Sequence, residues 1–155
     1  MNIPHAANDL VAALARQLGM EGLALDGDGL RAFEIGEKMT VHLQADPASH
    51  EFVLYAVAGS LPADPPASRL LELLSANRFW RDTGGATLSV DDERPPRVIM
   101  ARRVSWTGTT PAEFNEAFAT FVDYLADWWT RLDHTSQASA PPPLPMFDRH
   151  PGNFA

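Results

Sequence analysis

The chain has 155 residues, 45% of them hydrophobic, no cysteine, and a formal net charge of −8. That is enough apolar material for one self-sufficient core, and it excludes disulfides, zinc–thiolate sites, iron–sulfur clusters and cysteine nucleophiles. Lys38 is the only lysine, and arginine concentrates locally only at Arg78, Arg81, Arg94, Arg97, Arg102 and Arg103, so no nucleic-acid partner is expected from so acidic a surface.

The opening MNIPHAANDL carries no basic segment followed by an apolar run, and no run of about eighteen apolar residues occurs anywhere. The expectation is a soluble cytoplasmic protein with no membrane partner. Leu10, Val11, Leu14 and Leu18 then recur at helical spacing from about Asn8 to Leu18. Asn8 or Asp9 would cap that helix and Gly19 would stop it.

From Leu30 the period shortens. Leu30–Ile35, Met39–Leu43 and Phe52–Val57 read as strands, joined by Gly36-Glu37-Lys38 and by Asp46-Pro47-Ala48-Ser49, which predicts a meander of hairpins. The third strand is apolar on both faces, as a strand covered on both sides would be. After the rigid loop Leu61–Pro66, a short helix is predicted over Ala67–Asn77, with Leu70, Leu71, Leu73 and Leu74 on one broad side. Phe79-Trp80 is expected to be held by burial, and Gly84-Gly85 to turn the chain into a strand, Ala86–Val90. Asp91–Pro96 reads as a solvated hairpin tip leading to a last strand, Arg97–Trp106.

The plainest helix signal comes last. Thr110-Pro111-Ala112-Glu113 combines a cap, a proline at the first helical position and a glutamate three residues beyond the threonine. Phe114, Phe118, Phe121, Val122, Leu125, Trp128 or Trp129 and Leu132 follow at helical spacing. The order α-β-β-β-α-β-β-α predicts an α+β fold over residues 1–132, an antiparallel twisted sheet of about five strands with three helices. The segment 133–155 is rich in proline, serine and alanine and is expected to be an extended or disordered tail.

Side chains suited to catalysis are sparse. His5, His42, His50, His134 and His150 form no metal-ligand spacing. Ser60, Ser75, Ser89 and Ser105 have no nucleophile-elbow context. Asp26-Gly27-Asp28-Gly29 begins like a calcium loop, but the ligand pattern breaks at Leu30. Thr83-Gly84-Gly85-Ala86 lacks the lysine of a phosphate loop and precedes a strand rather than a helix. An enzyme using His42 with Glu34 or Glu51 is the weakest reading, and no catalytic residue, cofactor or metal is expected. The leucines of the middle helix and the two-faced third strand instead offer more apolar surface than one small sheet can cover, which points to a protein partner or to self-association.

LLELLSAN, then TGGATLSVD, a strand ending in Val104-Ser105-Trp106 and a helix containing Phe121-Val122-Asp123-Tyr124-Leu125-Ala126-Asp127-Trp128 resemble the class I chaperones of bacterial type III secretion, the CesT-like or Tir chaperone family. The resemblance covers about Asn8 to Leu132. It implies a cytoplasmic homodimer that hydrolyses no nucleotide and holds the extended N-terminal segment of a secreted effector. Family dimer contacts match Leu70, Leu71, Leu74, Ala86, Leu88 and Val90. The family's effector-binding surface matches Leu10, Leu14, Leu18, Phe33, Ile35, Val41, Leu43, Val53 and Tyr55, about half of which would be core. A protein-binding or regulatory module of the same fold, unconnected with secretion, is the alternative.

Overall fold

The computed structural model describes residues 4–20 and 22–132, so the proline-rich segment 133–155 lies outside the described residues. Helix α1 (His5–Gln17) is followed by strands β1 (Leu30–Ile35), β2 (Met39–Asp46) and β3 (Glu51–Ser60). Helix α2 (Ala67–Ala76), strands β4 (Thr87–Val90) and β5 (Arg97–Ser105) and helix α3 (Pro111–Arg131) complete the order that the periodicities predict. The strands form one antiparallel sheet in the order β1-β2-β3-β5-β4.

Short polar side chains set the turns. Asp46 Oδ1 accepts from the N–H groups of Ala48 and Ser49, and Oδ2 accepts from the Ser49 hydroxyl at 2.7 Å. That closes the β2–β3 hairpin as an Asx turn, and the Ser49 hydroxyl is the main reason the Asp46 carboxyl titrates below its ordinary range. Asp26 Oδ1 accepts from the N–H groups of Asp28 and Leu30, both at 2.9 Å, so the Asp-Gly-Asp-Gly run is a turn. Thr110 and Glu113 form the expected capping box, Thr110 N–H donating to the Glu113 carboxylate at 2.8 Å and Glu113 N–H to Thr110 Oγ1 at 3.3 Å.

Two local expectations are corrected. Helix α1 begins at His5 behind Pro4, and neither Asn8 nor Asp9 caps it. Ala7, fully buried, extends the apolar stripe one turn upstream, so packing rather than a polar cap fixes the start. Asp91 is not part of a solvated tip. Its carboxylate accepts from the backbone N–H and from Nε of Arg97, both at 2.7 Å, because Arg97 is 3% exposed and a buried guanidinium requires a partner.

Helices α1 and α3 cover one face of the sheet. Onto that face β1, β2 and β3 point Phe33, Val41, Leu43, Ala45, Phe52, Leu54 and Ala56, all fully buried. Phe33 meets Phe118 of α3 edge-on at 5.4 Å, and Phe52 lies 5.2 Å from Phe114 and 4.9 Å from Trp106 between ring centroids. The opposite face carries the intervening residues. There Val53 and Tyr55 are also buried, and Tyr55 stacks on His42 at 5.0 Å. Strand β3 is thus apolar on both faces, Phe52, Leu54 and Ala56 lying under the helices and Val53 and Tyr55 buried on the other face among their neighbours on the sheet.

Candidate functional site

Helix α2 is short and faces two ways. Leu73 and Ala76, one turn apart, are buried against the core, whereas Leu70, Leu71 and Leu74 are 37%, 62% and 67% exposed. Only the inward pair meets the sheet, so three leucines of one ten-residue helix stay in water. Full burial of one leucine is worth about 1.5–3 kcal/mol. A folded chain that leaves three exposed side by side carries an unfilled contact.

The apolar surface continues past the helix. Arg78–Trp80 forms a 3-10 turn in which Phe79 and Trp80 both adopt left-handed backbone, with φ of 57° and 51°. That conformation costs a non-glycine residue about 1–2 kcal/mol. The expectation that burial holds this pair is corrected: Phe79 is 85% and Trp80 56% exposed. Backbone bonds from Trp80 N–H to Asn77 C=O and from Thr83 N–H to Trp80 C=O fix the turn instead, and the strain is spent holding two aromatic rings outward.

Asn77 ties this turn to the sheet edge. Its amide nitrogen donates to the Leu88 carbonyl at 3.0 Å, and its amide oxygen accepts from the Leu88 N–H at 2.8 Å. The side chain therefore acts as a one-residue strand on the outer edge of β4, occupying the outward N–H and C=O of Leu88. Asn77→Ala should lower stability by about 2 kcal/mol in urea denaturation, and Asn77→Asp, which keeps only the acceptor, should lose less.

Beyond it, Thr83-Gly84-Gly85 docks on α3. A Cβ on Gly84 would fall 2.4 Å from Cδ2 of Tyr124, and Gly84 has φ of 58°. Trp128 Nε1 donates to the Asp82 carbonyl at 3.0 Å. Gly84 thus packs on an aromatic ring of the protein itself and Gly85 beside Arg102, so the pair serves the chain's own packing.

Of the residues matched to dimer contacts, Leu70, Leu71, Leu74 and Val90 lie exposed at this end of the molecule, whereas Ala86 and Leu88 are buried within the chain. Of those matched to effector binding, Leu10, Leu14, Phe33, Val41 and Leu43 are interior, between helices and sheet. Leu18 is exposed at the end of α1, Ile35 is partly buried, and Val53 and Tyr55 lie on the face away from the helices. Sequence reasoning named His42 but not its packing, half-buried against Tyr55, where burial holds the imidazole pKa below its ordinary value. It also missed the Arg103 clip, which bonds Glu51 at 2.7 Å and Asp46 at 3.4 Å across β5, β3 and β2.

Glu51 is engaged by Arg103 and His42 by Tyr55. Among the described residues no three His, Asp or Glu side chains are grouped to hold a metal, and no helix is long and apolar enough to cross a membrane.

A family model described as Tir chaperone protein (CesT) family matches residues 9–129. The chain belongs to the CesT family. A Chlamydia pneumoniae protein is 34% identical over 125 residues, covering 79% of this chain and 93% of the relative. The same fold appears in the ExsC–ExsE complex, with a TM-score of 0.70, 23% identity and coverage of 88% of this chain and 100% of the other. It appears again in the HopA1–SchA chaperone–effector complex, with a TM-score of 0.65, 16% identity and coverage of 81% and 94%. The family match spans most of the two helices that cover the sheet and the whole leucine helix between them.

Proposed function

We propose that the protein is a cytoplasmic, homodimeric chaperone of type III secretion that holds an extended N-terminal segment of a secreted effector, without catalysis or nucleotide hydrolysis. The observation that carries this reading is the exposed Leu70, Leu71 and Leu74 beside Phe79 and Trp80, in a chain of the CesT family. Apolar area on this scale suits a second subunit, and a chaperone fold recurs in the HopA1–SchA chaperone–effector complex. Two sheets placed back to back across the leucine helices would offer a client a long path over folded surface. Segments held this way contribute backbone pairing and alternate side chains, and no reaction.

The test has two readouts. Light scattering should give twice the chain mass of 17.0 kDa at micromolar concentration. A protein captured from the native cytoplasm and identified by mass spectrometry should rebind, when purified, through its N-terminal segment alone. A monomer that rebinds no such segment would refute the reading.

A further inference from the structure

An open strand edge, a pocket and an uncompensated cation coincide at one place in the fold. Strand β4 pairs with β5 only from Ala101 to Val98, whereas β3 pairs with β5 as far as Ser105. The chain enters β4 from Gly84-Gly85, packed on α3, so among the described residues no strand pairs with Arg102–Ser105 on that side, where only the Ser105 carbonyl is taken, by the Thr109 hydroxyl at 2.7 Å. Trp106 N–H donates to the His50 carbonyl on the β3 side, and the Arg97 carbonyl accepts from Asp91 N–H on the β4 side. Backbone groups alternate in direction along a strand, so the N–H and C=O of Arg103 point to the open side.

A pocket of about 410 Å³ opens there, lined by Val53, Trp80, Gly85, Ala101, Arg102 and Arg103. Arg103 already has Glu51 and Asp46. Arg102 is half-buried, its Nη1 donates to the Ala117 carbonyl at 3.3 Å, and no carboxylate pairs with it among the described residues. Burial depresses its pKa. A guanidinium partly withdrawn from water and lacking a counter-charge favours an anionic ligand.

We propose that this edge receives an extended peptide strand bearing a carboxylate beside an aromatic or large aliphatic side chain. The peptide backbone pairs with Arg103, the apolar side chain packs on Trp80, and the carboxylate meets Arg102. The inference rests on the chaperone reading and names the chemistry of the segment held. Two observations favour a peptide here. On the outer edge of β4 the backbone of Leu88 is already taken by Asn77, and the carboxylate of a second copy's leucine helix, Glu72, is held by Arg69 at 2.7 Å.

The probe is a short synthetic peptide of alternating threonine and valine with a phenylalanine–glutamate pair at its centre, titrated into the isotope-labelled full chain by NMR and fluorescence anisotropy. It should bind and shift the Arg103 amide. Glutamine in place of the peptide's glutamate, or Arg102→Gln in the protein, should each weaken binding about tenfold, and the two together little more than either alone. Arg102→Lys should retain most of the affinity, and thermal unfolding should show each variant folded. Equal binding of the glutamate and glutamine peptides would overturn the proposal, as would no binding or shifts confined to β1 or α1. So would a Trp80→Ala variant that changes dimer mass but not peptide affinity, because the surface would then belong to a second copy. In each of these cases a dimer that still rebinds its captured client leaves the chaperone reading standing.

Discussion

Leu71→Glu and Leu74→Glu are expected to give folded monomers. Both side chains are more than half exposed in the single chain, so a glutamate there stays in water and leaves the core untouched. In a two-fold interface each substitution occurs twice. A charge at an apolar contact costs about 2 kcal/mol or more per copy, which at about 4 kcal/mol in total weakens the dimer roughly a thousandfold. Light scattering should fall to a mass of 17.0 kDa while the circular dichroism stays near wild type, and the urea midpoint should fall only by what dimerisation adds and no longer depend on protein concentration. Leu73→Glu supplies the contrast. That neighbour is 4% exposed, and the same change there should unfold the chain rather than divide it. Dimers of unaltered stability in both exposed-site variants would place the interface elsewhere.

The element order and the capping box were legible in the sequence because each rests on local chemistry. Thr110 and Glu113 need only one helical turn to find one another, and Asp46 and Ser49 only one hairpin. Side-chain direction was harder to read where alternation fails. Strand β3 presents Phe52, Leu54 and Ala56 to one face and Val53 and Tyr55 to the other, all buried, so its sequence has no polar phase from which to choose an outward face. Strand β2 does alternate, and its apolar phase, Val41 and Leu43, lies in the core although both match the family's client-binding surface. Leu73 differs from Leu70, Leu71 and Leu74 only in where the sheet sits, which no period within ten residues reveals. Phe79 and Trp80 were misjudged because apolar rings usually signal burial, and a left-handed turn that aims them outward has no sequence mark of its own. Asp91 has no local mark either, since its partner Arg97 lies across a proline-containing turn.

Gly84→Ala is expected to lower stability by about 3 kcal/mol and the melting temperature by about 10 °C. Two costs combine. A left-handed φ of 58° penalises any side chain by about 1–2 kcal/mol, and the added Cβ would lie 2.4 and 2.6 Å from the Cδ2 and Cε2 atoms of Tyr124. The loop cannot simply lift away from the ring, because the neighbouring turn is fastened to α3 by Trp128 Nε1 at the Asp82 carbonyl. Gly85→Ala is the milder comparison. Its φ of 89° carries a backbone penalty too, but its Cβ would meet only Arg102 Nε at 3.3 Å, and that is a flexible side chain able to give way. Tyr124→Ala should be destabilising alone yet recover the steric part of the Gly84→Ala loss when the two are combined, so their effects should fall short of additive. Thermal unfolding of the four chains measures this coupling. A Gly84→Ala chain as stable as wild type would show that the loop yields, and Trp80 would then be carried on a movable segment rather than on one braced by α3. The same substitution therefore tests whether the strained aromatics beside the leucine helix are held in place before any partner arrives.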